Sequence, residues 1–325
     1  MRCAIHDTFG SPAEVLKLQE SPTPEPGPGE IRIRMGMSAI HNHDLLTVAG
    51  LYGYKPALPA IGGSEAMGTV EALGAGVQGL VPGQRVAASG LRGAWAEYFI
   101  ASASSVVPLP DSIDDETAAQ MIAMPLSALV LLEFLGVTEG QWVIQNAATG
   151  AVAKVLAMIA KNRGINVVNV VRRDEGVEEL EALGIGNAVS SAGAGWQDAV
   201  HAITGGASIA AAVDGVGGTS AGQLMSLVGD GGTLVSFGAM SGKPLEISGG
   251  DLVFKQSVVK GFWLAKIMKT ATREDIGRWM SELVRLIASG AVRLQTGGIF
   301  PLDRIADAAA ASAEPGRAGK ILLRP

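Results

Sequence analysis

Residues 145–153 read Gln-Asn-Ala-Ala-Thr-Gly-Ala-Val-Ala, with the small residues Ala147, Gly150 and Ala153 spaced three apart. A strand-to-helix turn that receives a pyrophosphate needs three small residues so placed. One makes the tight turn, one lets the backbone approach the phosphates, and one lets helix and strand pack closely. Val152, Val155, Leu156 and Ile159 then recur at helical spacing and Gly164 closes the run. A helix N-terminus with unpaired N–H groups would thus face an anion. An ordinary strand–turn–helix with small residues fits the same letters, but this is the first of six strand–helix units, where a dinucleotide is expected. About twenty residues on, an acid would take the ribose hydroxyl of NAD. The chain instead has Asn169-Val170-Val171-Arg172-Arg173, with Asp174 and Glu175 only afterwards. Two guanidinium groups suit a 2′-phosphate, so NADPH is the expected cofactor; solvated surface arginines are the plainer alternative.

The elements that must position these residues follow from texture. The segment SPTPEPGPGE (21–30) is too rich in proline for a helix. IRIRM (31–35) alternates as a half-buried strand does. Gly and Pro punctuation continues through VPGQRV (81–86), so the first part, 1–117, is expected to be β-rich. From about Asp111 apolar runs alternate with helical segments: 142–146, 166–171, 188–191, 209–213, 233–237 and 258–263. Runs apolar on both faces fit parallel strands between helix layers, and six of them complete a doubly wound nucleotide-binding sheet. That domain is expected over 118–265. A helix capped by Thr272 and ended at Gly290 follows, and the return segment 266–325, ending in the strand-like KILL, is expected to complete the first domain.

Composition removes whole classes of function. A net charge of −6 and no basic run beyond Arg172-Arg173 argue against a nucleic-acid partner. The only cysteine is Cys3, so neither an intramolecular disulfide nor a multi-cysteine zinc site is available. The longest apolar stretch, Met121 to Leu132, is broken by Pro125 and stopped by Glu133, too short for a bilayer span. The opening MRCAIHDTFG lacks the regions of a signal peptide. A soluble, cytoplasmic chain without a membrane partner is expected.

The order of a turn-rich β domain, a six-strand nucleotide domain and a returning helix and strand resembles the medium-chain dehydrogenase/reductase superfamily over essentially the whole chain. GGSEAMGTVEALGAGVQGLVPGQRV (62–86) resembles the family's GHE-type turn and following hairpin, and GKILL (319–323) its last strand. The resemblance implies a GroES-like catalytic domain and a Rossmann domain. The zinc-bearing members place catalytic ligands where this chain has His41 and Ser64. His41, His43, Asp44 and Glu65 make only a makeshift set, so no metal is expected. Among zinc-free members the chain resembles the 2-enoyl-thioester reductases, on GLYGYKPALPAIGGSE (50–65), WVIQNAATGAV, NVVRR, FGAMSGKP (237–244) and KGFWL (260–264). That likeness implies Tyr52 as the catalytic tyrosine, with Tyr54 as the alternative two residues on. It implies Thr149, Gly150, Ala151 and Val152 at the pyrophosphate and Arg172 with Arg173 at the 2′-phosphate. Phe237, Gly238, Ala239 and Met240, together with Phe262, Trp263 and Leu264, would flank the nicotinamide and acyl pocket, and Lys320 would contact the cofactor. Met124 stands where the family has an asparagine, and Ala151 and Ala153 replace glycines. The implied activity is NADPH-dependent reduction of a 2-enoyl thioester, carried by CoA or an acyl carrier protein. A quinone or alkenal reductase is the alternative. A homodimer through the strand at 258–263 is also implied.

Overall fold

The computed structural model describes all of residues 1–325. The chain divides into two compact units, Met1–Ala123 with Arg293–Pro325, and Met124–Val292. The architecture is α/β, as read from the sequence.

The second unit holds a six-stranded parallel sheet. Its spatial order is Ala188–Ser190, Asn166–Val171, Trp142–Gln145, Ile209–Asp214, Val228–Ser236 and Val258–Gly261. Two βα series therefore diverge from Trp142–Gln145, and ligands of such sheets bind beyond the strand C-termini at that switch point. The central strands bury both faces: Val143, Ile144, Val168, Ala212 and Leu234 have no exposed surface or almost none. Their core partners include Val200, Leu224 and Met225 from the covering helices. The helix Ala151–Asn162 buries Val152, Val155, Leu156 and Ile159, and Gly164 follows its end with φ of 67°, the left-handed conformation that glycine adopts freely. The run expected to reach Trp263 leaves the sheet after Gly261, where Phe262 N–H still bonds to Ser236 O before the chain turns into a short helix.

The helix Arg273–Ala288 begins at Thr272, whose hydroxyl accepts the Asp275 N–H while the Asp275 carboxylate accepts the Thr272 N–H. It does not join the first domain, and this corrects the expected boundary at 265. Trp279, Leu283, Leu286 and Ile287 are buried. The Glu133 carboxylate accepts hydrogen bonds from Arg278 at 2.7 Å and from the Trp279 indole at 2.8 Å, and Arg163 bonds to Glu282 at 2.8 Å. These contacts keep the segment up to Val292 with the second unit.

The first unit is built on Glu30–Ala39, the longest strand. It pairs antiparallel with Glu65–Leu73, with Tyr98–Ser102 and with the C-terminal strand Lys320–Arg324, where Leu322 faces Ala39. A smaller sheet joins Arg2–His6 to Lys17–Glu20 and Ala60–Ile61. Trp95, fully buried, packs its ring on Gly62 and Gly63, where any Cβ would lie within 2.4 Å of it. This unit extends past 117, to Ala123, because the Ile122 and Ala123 N–H groups donate to Glu65. No helix is long and apolar enough to cross a membrane.

Candidate active site

In the second unit a strand-to-helix turn follows the C-terminal end of Trp142–Gln145 and leads into the helix Ala151–Asn162. Ala147 has φ of 48°, a conformation unfavourable for an L-residue. It is held there because its carbonyl accepts the Gly150 N–H at 2.8 Å and the next residue, Ala148, donates to Val170 O at 3.2 Å. Gly150 is the N-cap of Ala151–Asn162, and no side chain caps that helix. A Cβ on Gly150 would meet the Ala147 carbonyl at 3.0 Å. A twelve-residue helix thus presents uncapped N–H groups and its positive dipole end over a glycine that leaves the backbone open. Arg172 and Arg173 lie exposed just beyond Asn166–Val171, with no carboxylate or hydrogen-bond partner for either guanidinium. An anionic dinucleotide fits this set: an open N-terminus for the pyrophosphate and two free cations for a further phosphate.

One network here was not foreseen. Asn146 Nδ2 donates to Asp214 Oδ1 at 2.6 Å and to Ser220 Oγ at 2.9 Å, and Asn146 Oδ1 accepts the Gly215 N–H at 2.8 Å. Asp214, fully buried, also accepts the Val216 and Gly217 N–H groups at 3.1 Å. Polar side chains at the ends of two adjacent parallel strands were the available signal, since that is where such sheets bind ligands.

The segment Phe237 to Met240 is stitched alongside. Phe237 N–H bonds to Asp214 O and Met240 N–H to Gly215 O, and a Cβ on Gly238 would lie 2.8 Å from Gly215 O. Ala239 lies between, and Met240 is 73% exposed. The three residues Phe262, Trp263 and Leu264 separate. Phe262 turns its ring inward against Phe134, at 5.5 Å and 66°, as a packing residue. Trp263 stays largely exposed and precedes the short helix that starts at Leu264.

In the first unit the helix Asn42–Val48 ends at Gly50, whose φ is 74°, and the Leu51 and Tyr52 N–H groups fold back onto Leu46 O. Tyr52 is thereby half-buried, its ring 5.7 Å from that of His43. His43 shares a 2.7 Å hydrogen bond with Ser64 Oγ and stacks on His41, ring centroids 5.2 Å apart. His41, fully buried, shares a 2.7 Å hydrogen bond between Nε2 and Glu65 Oε2, while its Nδ1 has no partner. His41 and Ser64, the two positions weighed as metal ligands from the sequence, are therefore engaged in hydrogen bonds with Glu65 and His43. No group of three or more His, Cys, Asp or Glu side chains is arranged to hold a metal ion. Burial pushes the Glu65 carboxyl up to about 8, against the pull of the Ile122 and Ala123 N–H groups. Burial, with the nearby Lys320 charge, pushes the His41 imidazole well down. Lys320 is buried and lowered to about 8 by desolvation and by Arg317, and it has no carboxylate within ion-pair distance. Tyr54 is exposed, with the Arg92 guanidinium 4.7 Å over its ring.

Comparison with known proteins adds lineage to this geometry. Residues 151–283 match the family model described as zinc-binding dehydrogenase, and residues 27–111 that of the alcohol dehydrogenase GroES-like domain. The mitochondrial enoyl-[acyl-carrier-protein] reductase of Arabidopsis thaliana is 29% identical, over 91% of this chain and 80% of its own. That of Caenorhabditis elegans is 30% identical, over 90% and 86%. Among solved structures, Escherichia coli quinone oxidoreductase complexed with NADPH superposes with a TM-score of 0.89 at 26% identity, over the whole of both chains.

Proposed function

The chain belongs to the medium-chain dehydrogenase/reductase superfamily, and from that premise we propose that it is an NADPH-dependent, zinc-independent reductase of the C=C bond of 2-enoyl thioesters. The coarser statement, an NAD(P)-dependent oxidoreductase acting on a small molecule, is carried by the whole set of relatives. The finer one is carried by one observation: a half-buried phenol, Tyr52, held in a tight loop against His43. Two relatives named for enoyl reduction, matched over most of both chains, support the substrate, and the NADPH-bound quinone oxidoreductase supports only the cofactor.

Bound NADPH supplies a hydride for the β-carbon of the enoyl group. This chain's residues do the rest. The uncapped N–H groups at Ala151 and Val152, beside Thr149 and Gly150, hold the pyrophosphate. Arg172 and Arg173 hold the 2′-phosphate by charge-assisted hydrogen bonds. Backbone from Phe237 to Met240, with the exposed Trp263 and with Leu264, is assigned to the nicotinamide and acyl group, and the Lys320 ammonium to a cofactor contact, as the resemblance implies. Tyr52 donates a hydrogen bond from its hydroxyl to the thioester oxygen as negative charge gathers there, passes that proton to the α-carbon, and regains one from water. The product is the saturated thioester. No metal ion is assigned a part, because His41 and His43 already share hydrogen bonds with Glu65 and Ser64.

A second reading, quinone reduction with the same cofactor, is favoured by the superposition on the Escherichia coli enzyme. Steady-state rates with NADPH on crotonyl-CoA and on a small quinone separate the two. The higher kcat/KM is expected on crotonyl-CoA; turnover of the quinone without any of the thioester would replace the first reading by the second. We also propose that the functional form is a homodimer joined at Val258–Gly261, the outer strand of the parallel sheet.

A further inference from the structure

We infer that the Tyr52 loop carries a phosphate-binding point for the pantetheine arm of its thioester substrate, with Arg92 as the principal cation and Lys55 as the second. The inference rests on the enoyl-thioester reading and names the part of the substrate that reading leaves open.

Charge distribution gives the first ground. In a chain with 31 acids and 25 bases, residues 45–63 contain a single charged side chain, Lys55, and residues 86–96 a single one, Arg92. The acids that bracket the first segment, Asp44 and Glu65, are buried and hydrogen-bonded, and Glu97, just past the second, is tied to Arg2. Neither Arg92 nor Lys55 pairs with a carboxylate. The two segments are one surface. Leu91 N–H bonds to Ser64 O, Gly93 and Ala94 N–H to Gly63 O, and Trp95 N–H to Gly62 O.

Geometry gives the second. Arg92 is exposed, yet it is fixed from both sides, by the backbone bonds of Leu91 and Gly93 and by its seat over the Tyr54 ring at 4.7 Å. Stacking occupies the face of a guanidinium and leaves its in-plane N–H donors free, the arrangement in which arginine grips a phosphate. Lys55 stands over Phe9, whose ring packs within 3.0 Å of where a Gly50 Cβ would be, at the start of the same loop. Tyr52 and Tyr54 are two residues apart, at most about 7 Å between Cα atoms. A fixed cation thus stands near the phenol that polarises the thioester but is not on it. The thioester carriers CoA and acyl carrier protein share that layout: a phosphate set apart from the sulfur by a flexible pantetheine arm. The phosphates of the dinucleotide are assigned elsewhere, to Gly150 and Arg172 with Arg173.

The test compares crotonyl-4′-phosphopantetheine with crotonyl-pantetheine, which differ only in the phosphate, on the full-length enzyme, Arg92→Gln, Lys55→Gln and the double variant. The unsubstituted enzyme is expected to favour the phosphorylated substrate in kcat/KM by about tenfold to a hundredfold, what a hydrogen bond between charged groups is worth. Arg92→Gln should remove most of that ratio, chiefly through KM, and the double variant should bring it to about one. Added salt should shrink it in the unsubstituted enzyme. Parallel losses on crotonyl-CoA and on crotonyl-loaded carrier protein would support the shared arm, and a loss on one alone would name the carrier. An unchanged ratio in the double variant would overturn the inference while leaving the enoyl-thioester reading intact. Absence of turnover on all four thioesters would end both.

Discussion

Tyr52 illustrates what a single residue needs from its surroundings. Its backbone is fixed by the turn at Gly50 and the bonds to Leu46 O, and its ring lies beside a histidine that is itself bonded to Ser64. If that hydroxyl is the donor to the thioester oxygen, Tyr52→Phe should lower kcat on crotonyl-CoA by about a hundred- to a thousandfold with little change in the KM for NADPH. Stopped-flow or steady-state turnover measures it, and an undiminished kcat would remove Tyr52 from the chemistry. The cofactor end gives a second expectation. Replacing Arg172 and Arg173 by glutamate should raise the KM for NADPH at least about tenfold while sparing NADH, because only the former carries the group that the guanidinium ions would bind. Equal effects on the two cofactors would show that these arginines merely face solvent. How far these residues were legible depends on the kind of signal. The small-residue turn and the paired arginines lie in contiguous sequence, so spacing alone exposed them. Tyr52 came only through likeness to a family. The partnership of Asn146 with Asp214, 68 residues away, was invisible, because it is made by the juxtaposition of two strands that no local pattern encodes.

At the scale of elements, periodicity and caps read well and allegiance did not. Six apolar runs became six parallel strands, and the helix announced by Thr272 and Gly290 formed at Arg273–Ala288. What decides where that helix belongs is Glu133, 145 residues before Arg278, and a lone glutamate after an apolar run carries no hint of its partners. Hydrogen bonds from Arg278, the Trp279 indole and Arg163 hold the Glu133 carboxyl down at about 2, although burial acts against them. A carboxylate whose folded pKa is depressed contributes stability above its unfolded pKa and loses it as pH falls towards the folded value. Glu133 should therefore stabilise the second unit at neutral pH and cease to do so progressively between about 4.5 and 2. Thermal melts of the unsubstituted chain and of Glu133→Gln should differ most near pH 7, and the gap should narrow as pH drops through that window. A gap that stayed constant with pH would mean that Glu133 acts through shape and not through its charge.

For the whole molecule the question is what covers the end of the parallel sheet. Val258–Gly261 pairs with Val228–Ser236 on one side only, and Val258 and Val259 are 42% and 37% exposed. The helix just before it, Gly249–Lys255, leaves Val253 and Phe254 exposed at 69% and 86%. An edge of this kind offers unpaired N–H and C=O groups beside an apolar patch, which a soluble chain normally pairs or covers. A second copy related by a twofold axis meets both needs: equivalent edge strands run antiparallel across the axis, and each Phe254 finds apolar surface near its counterpart. Sedimentation of the purified chain should show a dimer. Placing charge in the seam with Val259→Lys and Phe254→Glu should yield a monomer whose far-ultraviolet circular dichroism is unchanged, since neither side chain belongs to the core of its own unit. A monomer from the unsubstituted chain at micromolar concentration would require another cover for this edge. A dimer that survives both charges would place the interface elsewhere on the surface.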